Sequence, residues 1–249
     1  MACSNNNKFF SSYKLLLTIA SLLVYHTLLP GQYSFDNLPQ RFSFNQAYIF
    51  KYNNSIIPEG DYGHEGEIMI YYNEKTNCWL FTDKCFEDEE DNVQWILGLP
   101  NGIYISALSD QFGQKELVSD TINFNNKISE RLKEIGSFDD THKNTGITKL
   151  FGKDAMGFPL YSASLHAVVN PKSRDVSEQF ITNSKVLMSS IYFFNERKNN
   201  IRLPVKFPTD IPMGMMVLQD HTKTIEGELH FELKEVAVVN YKIDLDEFR

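Results

Sequence analysis

Pro100-Asn101-Gly102 lies between two short apolar runs, Val93-Gln94-Trp95-Ile96-Leu97 and Ile103-Tyr104-Ile105, and constrains the fold more than any other feature. Asn-Gly in such a place supplies the two positive φ angles of a type I′ turn, so the runs read as paired strands of a hairpin. The pattern repeats just upstream. Glu67-Ile68-Met69-Ile70-Tyr71-Tyr72 is rich in strand formers, residues 73–77 make a polar loop of hairpin length, and Cys78-Trp79-Leu80-Phe81-Thr82 returns.

Further strands are expected on either side. Phe42 to Tyr52 reads as extended and is turned by Pro58-Glu59-Gly60, and Glu116-Leu117-Val118 belongs to another strand. Leu160 to Val169 and residues 174–182 follow, and Met213–Leu218 with Gly227–Val239 make a last hairpin. In Leu229-His230-Phe231-Glu232-Leu233-Lys234 apolar and polar residues alternate, the mark of a strand with one wet face. Tyr241 to Phe248 closes the chain. Residues 126–135 carry the one clear helical pattern, with Ile128, Leu132 and Ile135 on one face and Gly136 as its stop. Val186 to Phe194 fits a helix face or a buried strand equally well. From Ser137 to Gly157 the chain is polar, has three glycines and no strong period, and is expected to be a functional or mobile loop. Pro204, Pro208 and Pro212 exclude a long helix across that passage. Strands dominate, which predicts a β-rich α+β fold: an antiparallel sheet carrying one or two helices.

The N-terminus carries an address. Lys8 and Lys14 precede the apolar stretch Leu15–Tyr25, Pro30-Gly31 break it, and the first acid is Asp36. A basic leader, a short apolar core and a small residue at the break form a secretory signal over 1–31. That core is shorter than the ~20 apolar residues a bilayer span needs. The expected mature chain is one β-rich domain, 32–249, exported to the periplasm or the extracellular space, with no stable membrane span. Without the leader's two lysines, the 24 basic residues fall to 22 against 32 acidic ones, a balance of −10. Such a surface disfavours nucleic acid, whose phosphates need a basic face, and electrostatic docking on anionic lipid.

Cys3 leaves with the leader, so Cys78 and Cys85 remain as an even pair in an oxidising compartment. Neither a straight strand nor a helix brings positions seven apart within bridging distance. A bend at Asp83-Lys84 would allow a disulfide, and two buried free thiols are the alternative.

No catalytic, cofactor or metal signature stands out. A Gly-x-Ser-x-Gly nucleophile elbow is lacking. His64-Glu65-Gly66-Glu67, Asp220-His221 and His230 with Glu232 each fall short of the three or four ligands of a zinc site. Glu87-Asp88-Glu89-Glu90-Asp91 has no internal glycine or alternating ligands and reads as a solvated turn rather than a calcium loop.

Three stretches point to a family. They are Gly66–Tyr72 followed by Trp79-Leu80-Phe81, Gly157-Phe158-Pro159-Leu160 leading into a strand, and Glu232–Val236 with Tyr241–Leu245. Together they resemble carrier-like domains of the lipoprotein-localisation type and related secreted bacterial domains of unknown function. The resemblance implies a strongly curved, half-barrel-like antiparallel sheet whose open side is plugged by helices. It also implies a concave apolar face able to hold an acyl chain or a partner's apolar segment, and it transfers no functional residue.

Trp79, Trp95, Tyr104 and Phe193 are the candidate lining of a ligand cleft between sheet and helix. Core packing is the competing explanation of these rings. Three functions stay open: an exported non-enzymatic domain binding a lipid or other apolar ligand, a protein-interaction or envelope-structural module, and an enzyme with an unrecognised site.

Overall fold

The computed structural model describes residues 33–86, 92–135, 142–169, 175–199, 201–209, 211 and 214–248. Residues 1–31, expected as a leader, and the acidic run 87–91 lie outside them.

The strand-forming runs pair in sequence order. The first six strands are β1 (Arg41–Asn54), β2 (Glu65–Asn73), β3 (Cys78–Thr82), β4 (Val93–Gly98), β5 (Ile103–Ser109) and β6 (Lys115–Thr121). After helix α1 (Phe124–Ile135) come β7 (His142–Lys153), β8 (Pro159–Val169), β9 (Val176–Asn183), the one-turn helix α2 (Ser189–Tyr192), β10 (Met215–Lys223) and β11 (Glu228–Asp244). Among the described residues these make one open antiparallel sheet, ordered β6-β5-β4-β3-β2-β1-β11-β10-β9-β8-β7. Two meanders are thus joined where the last strand pairs with the first. Bulges in that central ladder, between Phe44 and Gln46 and between Ile49 and Phe50, bend and twist it. The fold is the β-rich antiparallel sheet with few helices that the sequence predicts.

Both expected early hairpins form, one of them by a different turn. Between β4 and β5 the Gly102 amide donates to the Leu99 carbonyl at 3.1 Å, and the Leu99 amide donates to the Ile103 carbonyl at 2.8 Å. Gly102 alone has positive φ, +88°, so Pro100-Asn101-Gly102 is a three-residue loop with a left-handed glycine rather than a type I′ turn. A Cβ at Gly102 would lie 2.0 Å from the Ile122 carbonyl oxygen, because the chain leaving β6 crosses directly over the turn. Asn123 then caps α1 through its side chain, which accepts from the Asn126 amide at 3.1 Å.

Residues 142–153, expected as loop, are strand β7. Its side chains are exposed from residue 143 to 150, and Gly146 with positive φ marks a break in register between Asn144 and Thr148. Both features erase the alternation that marks a strand in sequence. Within residues 186–194 only Ser189–Tyr192 is helical, the short helix α2, and a 3-10 turn follows at Phe194–Glu196.

Two apolar layers form, one on each face of the sheet. β3 shows why: Trp79 and Phe81 enter one layer, Cys78 and Leu80 the other, and all five of its residues are buried. The smaller layer packs Phe42, Phe44, Leu80, Trp95, Leu97 and Ile105 beneath Leu38, which precedes β1, and Leu245 and Phe248, which follow β11. The larger, inner layer is covered by a plug, residues 186–211. Met188, Ile191, Tyr192, Phe193 and Phe194 drop onto Trp79, Phe81 and Tyr104, while Leu203, Val205 and Phe207 cover Phe50 and Phe231.

Candidate functional site

Directional bonds hold the plug, and each satisfies a group that burial would otherwise leave unpaired. The Trp79 indole N–H donates to the Leu187 carbonyl at 2.6 Å, and the Tyr104 hydroxyl donates to the Ser190 carbonyl at 2.8 Å. Ser190 Oγ returns a bond to the Leu99 carbonyl at 2.9 Å. Gly98 makes this approach feasible, since a Cβ there would sit 2.9 Å from the Ser190 Cβ. Arg197 closes the far end. Its guanidinium lies 3.7 Å over the Phe194 ring and donates to the carbonyls of Phe194 and Ile201. Burial lowers its pKa to about 10, which leaves it charged at neutral pH.

These contacts define what the four candidate rings do. Trp79, Tyr104 and Phe193 share the inner layer and are almost fully buried. They interdigitate with Tyr72 (4.5 Å from Trp79), Phe194 (6.1 Å from Tyr104) and Phe124 (5.4 Å from Phe193), a filled arrangement. Trp95 is not with them. It lies on the opposite face of the sheet, edge-on to Phe248 at 5.4 Å. The register explains the split: Gly98 opposes Tyr104, so the inner residues of β4 are Gly98 and Ile96, and Trp95 points outward.

Of the two alternatives left open for the cysteine pair, the structure has the buried free thiols. Cys78 and Cys85 are free, buried thiols on opposite faces of the sheet. The 3-10 turn Asp83–Cys85 carries Cys85 to the inner side, where its thiol donates to the Met69 carbonyl at 3.0 Å. Cys78 donates instead to the Thr76 carbonyl at 3.6 Å. Burial pushes their pKa values up to about 12 for Cys78 and about 11 for Cys85, so both are unreactive.

Where the plug meets the end of β1 and strands β9–β11, the packing opens into a cleft of about 280 Å³. Ile191, Tyr192, Val205 and Phe207 from the plug form one wall, and Tyr52, Leu229 and Phe231 continue it along the sheet. Polar side chains line the cleft as well, among them Asn195, Glu196 and Lys206 from the plug and Ser177, Gln179, Asp220 and Thr222 from β9 and β10. Gln179 Nε2 donates to one oxygen of the buried Asp220 carboxylate at 2.6 Å, and the Thr222 hydroxyl donates to the other. Thr222 has one hydrogen, so Ser177 is the donor in the Ser177–Thr222 bond, and the chain of hydroxyls runs toward the carboxylate. None of the four sequence-selected rings lines this cleft. Its walls come from the proline-punctuated passage 204–209 and from polar residues spaced two apart on β9 and β10. That spacing was the available sequence signal, since alternate residues share one face of a strand.

The histidine–acid groups are partly brought together. His221 and His230 face each other across β10 and β11, with ring centroids 5.8 Å apart. His221 Nε2 lies 2.8 Å from Glu228, whose carboxyl this bond holds below its usual range. His64 is elsewhere, with Nδ1 2.6 Å from the Ile57 carbonyl oxygen. Among the described residues no group of three or more His, Cys, Asp or Glu is arranged to hold a metal ion, and no helix is long and apolar enough to cross a membrane. No protein-family model and no curated protein matches this chain.

Proposed function

We propose that the chain is an exported, non-enzymatic binding module of the carrier-like type, which holds the apolar part of a small amphiphile between plug and sheet. The observation that carries this reading is the cleft of about 280 Å³, lined by both apolar and polar side chains and opening in an inner layer otherwise filled by rings. Its size is at the lower end of small-ligand sites. An amphiphile suits this mixed lining, with its hydrocarbon against Ile191, Val205 and Phe207 and its polar end toward polar side chains such as Asn195 and Lys206. A fluorescent fatty acid and an uncharged hydrophobic dye test it. The folded protein should bind one of them saturably, and Leu229→Trp, which fills the cleft from a half-buried rim position, should weaken binding at least about tenfold. Trp95→Ala, on the opposite face, should leave it unchanged in any variant that stays folded. No saturable binding by the folded protein rejects the reading.

A second reading, a protein-interaction module, is favoured by a different observation. Ile147, Leu150, Phe158, Leu160, Val169 and Val176 are all exposed on β7–β9 and the turn between β7 and β8, an apolar concentration of the kind that marks interaction surfaces.

A further inference from the structure

Residues 201–207 of the plug form a strap that lies on the inner layer like a strand without a sheet. Ile201, Leu203, Val205 and Phe207 are buried while Arg202 and Lys206 are exposed, the alternation of an extended chain on an apolar surface. No ladder accompanies it. Among the described residues no backbone–backbone hydrogen bond involves residues 201–209, and Pro204 and Pro208 have no N–H to give. Two side chains from outside the strap stand in for the missing neighbour. The Arg197 guanidinium donates to the Ile201 carbonyl at 3.0 Å, where the strap begins. Asn195 takes the middle. Its Oδ1 accepts from the Leu203 amide at 2.8 Å, and its Nδ2 donates to the carbonyls of Leu203 at 3.3 Å and Val205 at 3.4 Å.

Asn195 is itself firmly placed. It lies in the 3-10 turn Phe194–Glu196, next to the fully buried Phe194, and its other neighbour Glu196 meets Lys127 of α1 at 3.8 Å. A side-chain amide has two N–H donors and two acceptor sites, so the strap takes both donors and one acceptor and leaves one acceptor free for a ligand. The placement of the strap matters because it walls the cleft: Asn195, Val205, Lys206 and Phe207 all line it. Beyond Val205 the strap packs through the Phe207 ring, 5.2 Å from Phe50 and 4.9 Å from Phe231. Apolar packing is non-directional and tolerates sliding, whereas a hydrogen bond fixes which peptide group stands where.

We infer that Asn195 is the positioning residue of the cleft: it sets the register of residues 203–207 and thereby the space that Val205 and Phe207 leave for a ligand's hydrocarbon. The assignment rests on the cleft being a binding site. Asn195 acts through the strap, and its own contact with a ligand is not what the affinity depends on.

Amide hydrogen exchange and probe binding test it together, on protein purified from the producing cell. Asn195→Ala should speed exchange in a peptide spanning 201–209 at least about tenfold and leave peptides from β1 and β11 unchanged. It should also weaken binding of the fluorescent fatty acid or the uncharged dye, whichever the wild type binds, at least about fivefold. A covalent tie supplies the rescue. A Cβ on Gly63 would lie 3.8 Å from the Pro204 Cβ, the separation a disulfide spans. Gly63→Cys with Pro204→Cys, added to Asn195→Ala, should restore slow exchange and binding when oxidised and lose both when reduced. Gly63 has positive φ, so near-ultraviolet circular dichroism must show the triple variant folded. Where it is not, Asn195→Ala alone decides. Unchanged exchange in folded Asn195→Ala overturns the inference, and so does faster exchange with undiminished binding. Binding that stays weak once the oxidised tie has restored slow exchange overturns it too, and assigns Asn195 a direct contact with the ligand. Each of these failures occurs with the wild type still binding its probe. A folded wild type that binds neither probe rejects the binding reading itself, and the inference with it.

Discussion

β3 and β7 belong to the same sheet and live in opposite environments. All five residues of β3 are buried, while residues 143–150 of β7 are all exposed. The difference lies in what covers each strand. β3 is held between the plug on one face and residues flanking β1 and β11 on the other. β7 is the last strand of the sheet and meets the body along residues 149–152, where Lys149 reaches Gln219 and Glu232 and Gly152 lies against Leu233. The two edges differ as well. β6 has seven residues and is tied to the C-terminal turn by Lys115, which meets Glu247 at 3.5 Å and lies over the Phe248 ring. β7 has twelve residues and three lysines, the side chain most used to keep an open edge from pairing. One sheet therefore divides into a body doubly covered around β3 and an arm, β7–β9, where local opening is expected to begin.

The largest effect should come from truncating the body and the arm in parallel. Phe194 is fully buried, 4.2 Å from the Phe81 ring and under the Arg197 guanidinium. Phe194→Ala should cost about 3–5 kcal/mol. Leu160→Ala, at an exposed arm position, should stay within about 0.5 kcal/mol. Urea midpoints with unchanged slopes would establish the contrast. Equal losses at the two sites would erase the distinction between body and arm.

That division also governs what was legible from sequence. β3 to β5 are legible because both faces are largely buried, so their runs are densely apolar and end at turn residues, while β2, buried on one face, is legible from its strand-forming residues. β7 is not, because its exposed side chains impose no period and Gly146 and Gly152 interrupt the strand. The plug is ambiguous for a related reason. Leu187, Ile191 and Phe194 fit a helix, but among the plug's described residues α-helix is confined to Ser189–Tyr192, and burial on several sides makes its run resemble a strand. The grouping of Trp95 with Trp79 and Tyr104 fails through parity: residues on one strand separated by an odd number face opposite ways. The hairpin at residues 100–102 sets Gly98 against Tyr104, and that pairing alone sends Trp95 to the other face. The cleft was hidden because its walls meet only through long-range register, as when Gln179 comes opposite Asp220.

Thiol chemistry sharpens the same contrast at smaller scale. With a pKa of about 12, Cys78 is thiolate in roughly one molecule in ten thousand at pH 8, and it is also inaccessible. Alkylation followed by peptide mapping should leave Cys78 and Cys85 unmodified in the native protein and modify both after denaturation without reductant. A cysteine introduced as Leu160→Cys should react in the native state. A peptide linking Cys78 to Cys85 in the non-reduced digest would overturn the assignment of free thiols.

The smallest effect should appear beside the seam between body and arm, where β10, the body strand next to the arm, carries His221 opposite His230 of β11. Burial lowers the His230 pKa, and the neighbouring His221 lowers it further. The folded state therefore holds its proton less tightly than the unfolded chain, whose histidines titrate near 6.5. As pH falls below that value the unfolded state takes up the proton first, so stability declines until the folded pKa is passed and then levels off. Glu228 does not interfere in this window. Its hydrogen bond from His221 and the charge of Lys223 depress its pKa, so it stays ionised well below the histidine range. Calorimetric melting at pH 7.5 and pH 5.5 should show a drop for the wild type and a smaller drop for His230→Gln, with His166, also lowered by burial, accounting for part of what remains. Identical drops in the two proteins would mean that His230 is equally easy to protonate folded and unfolded. The seam would then be as solvated as the arm, and the boundary of the covered body would have to be drawn on the β1 side of β11.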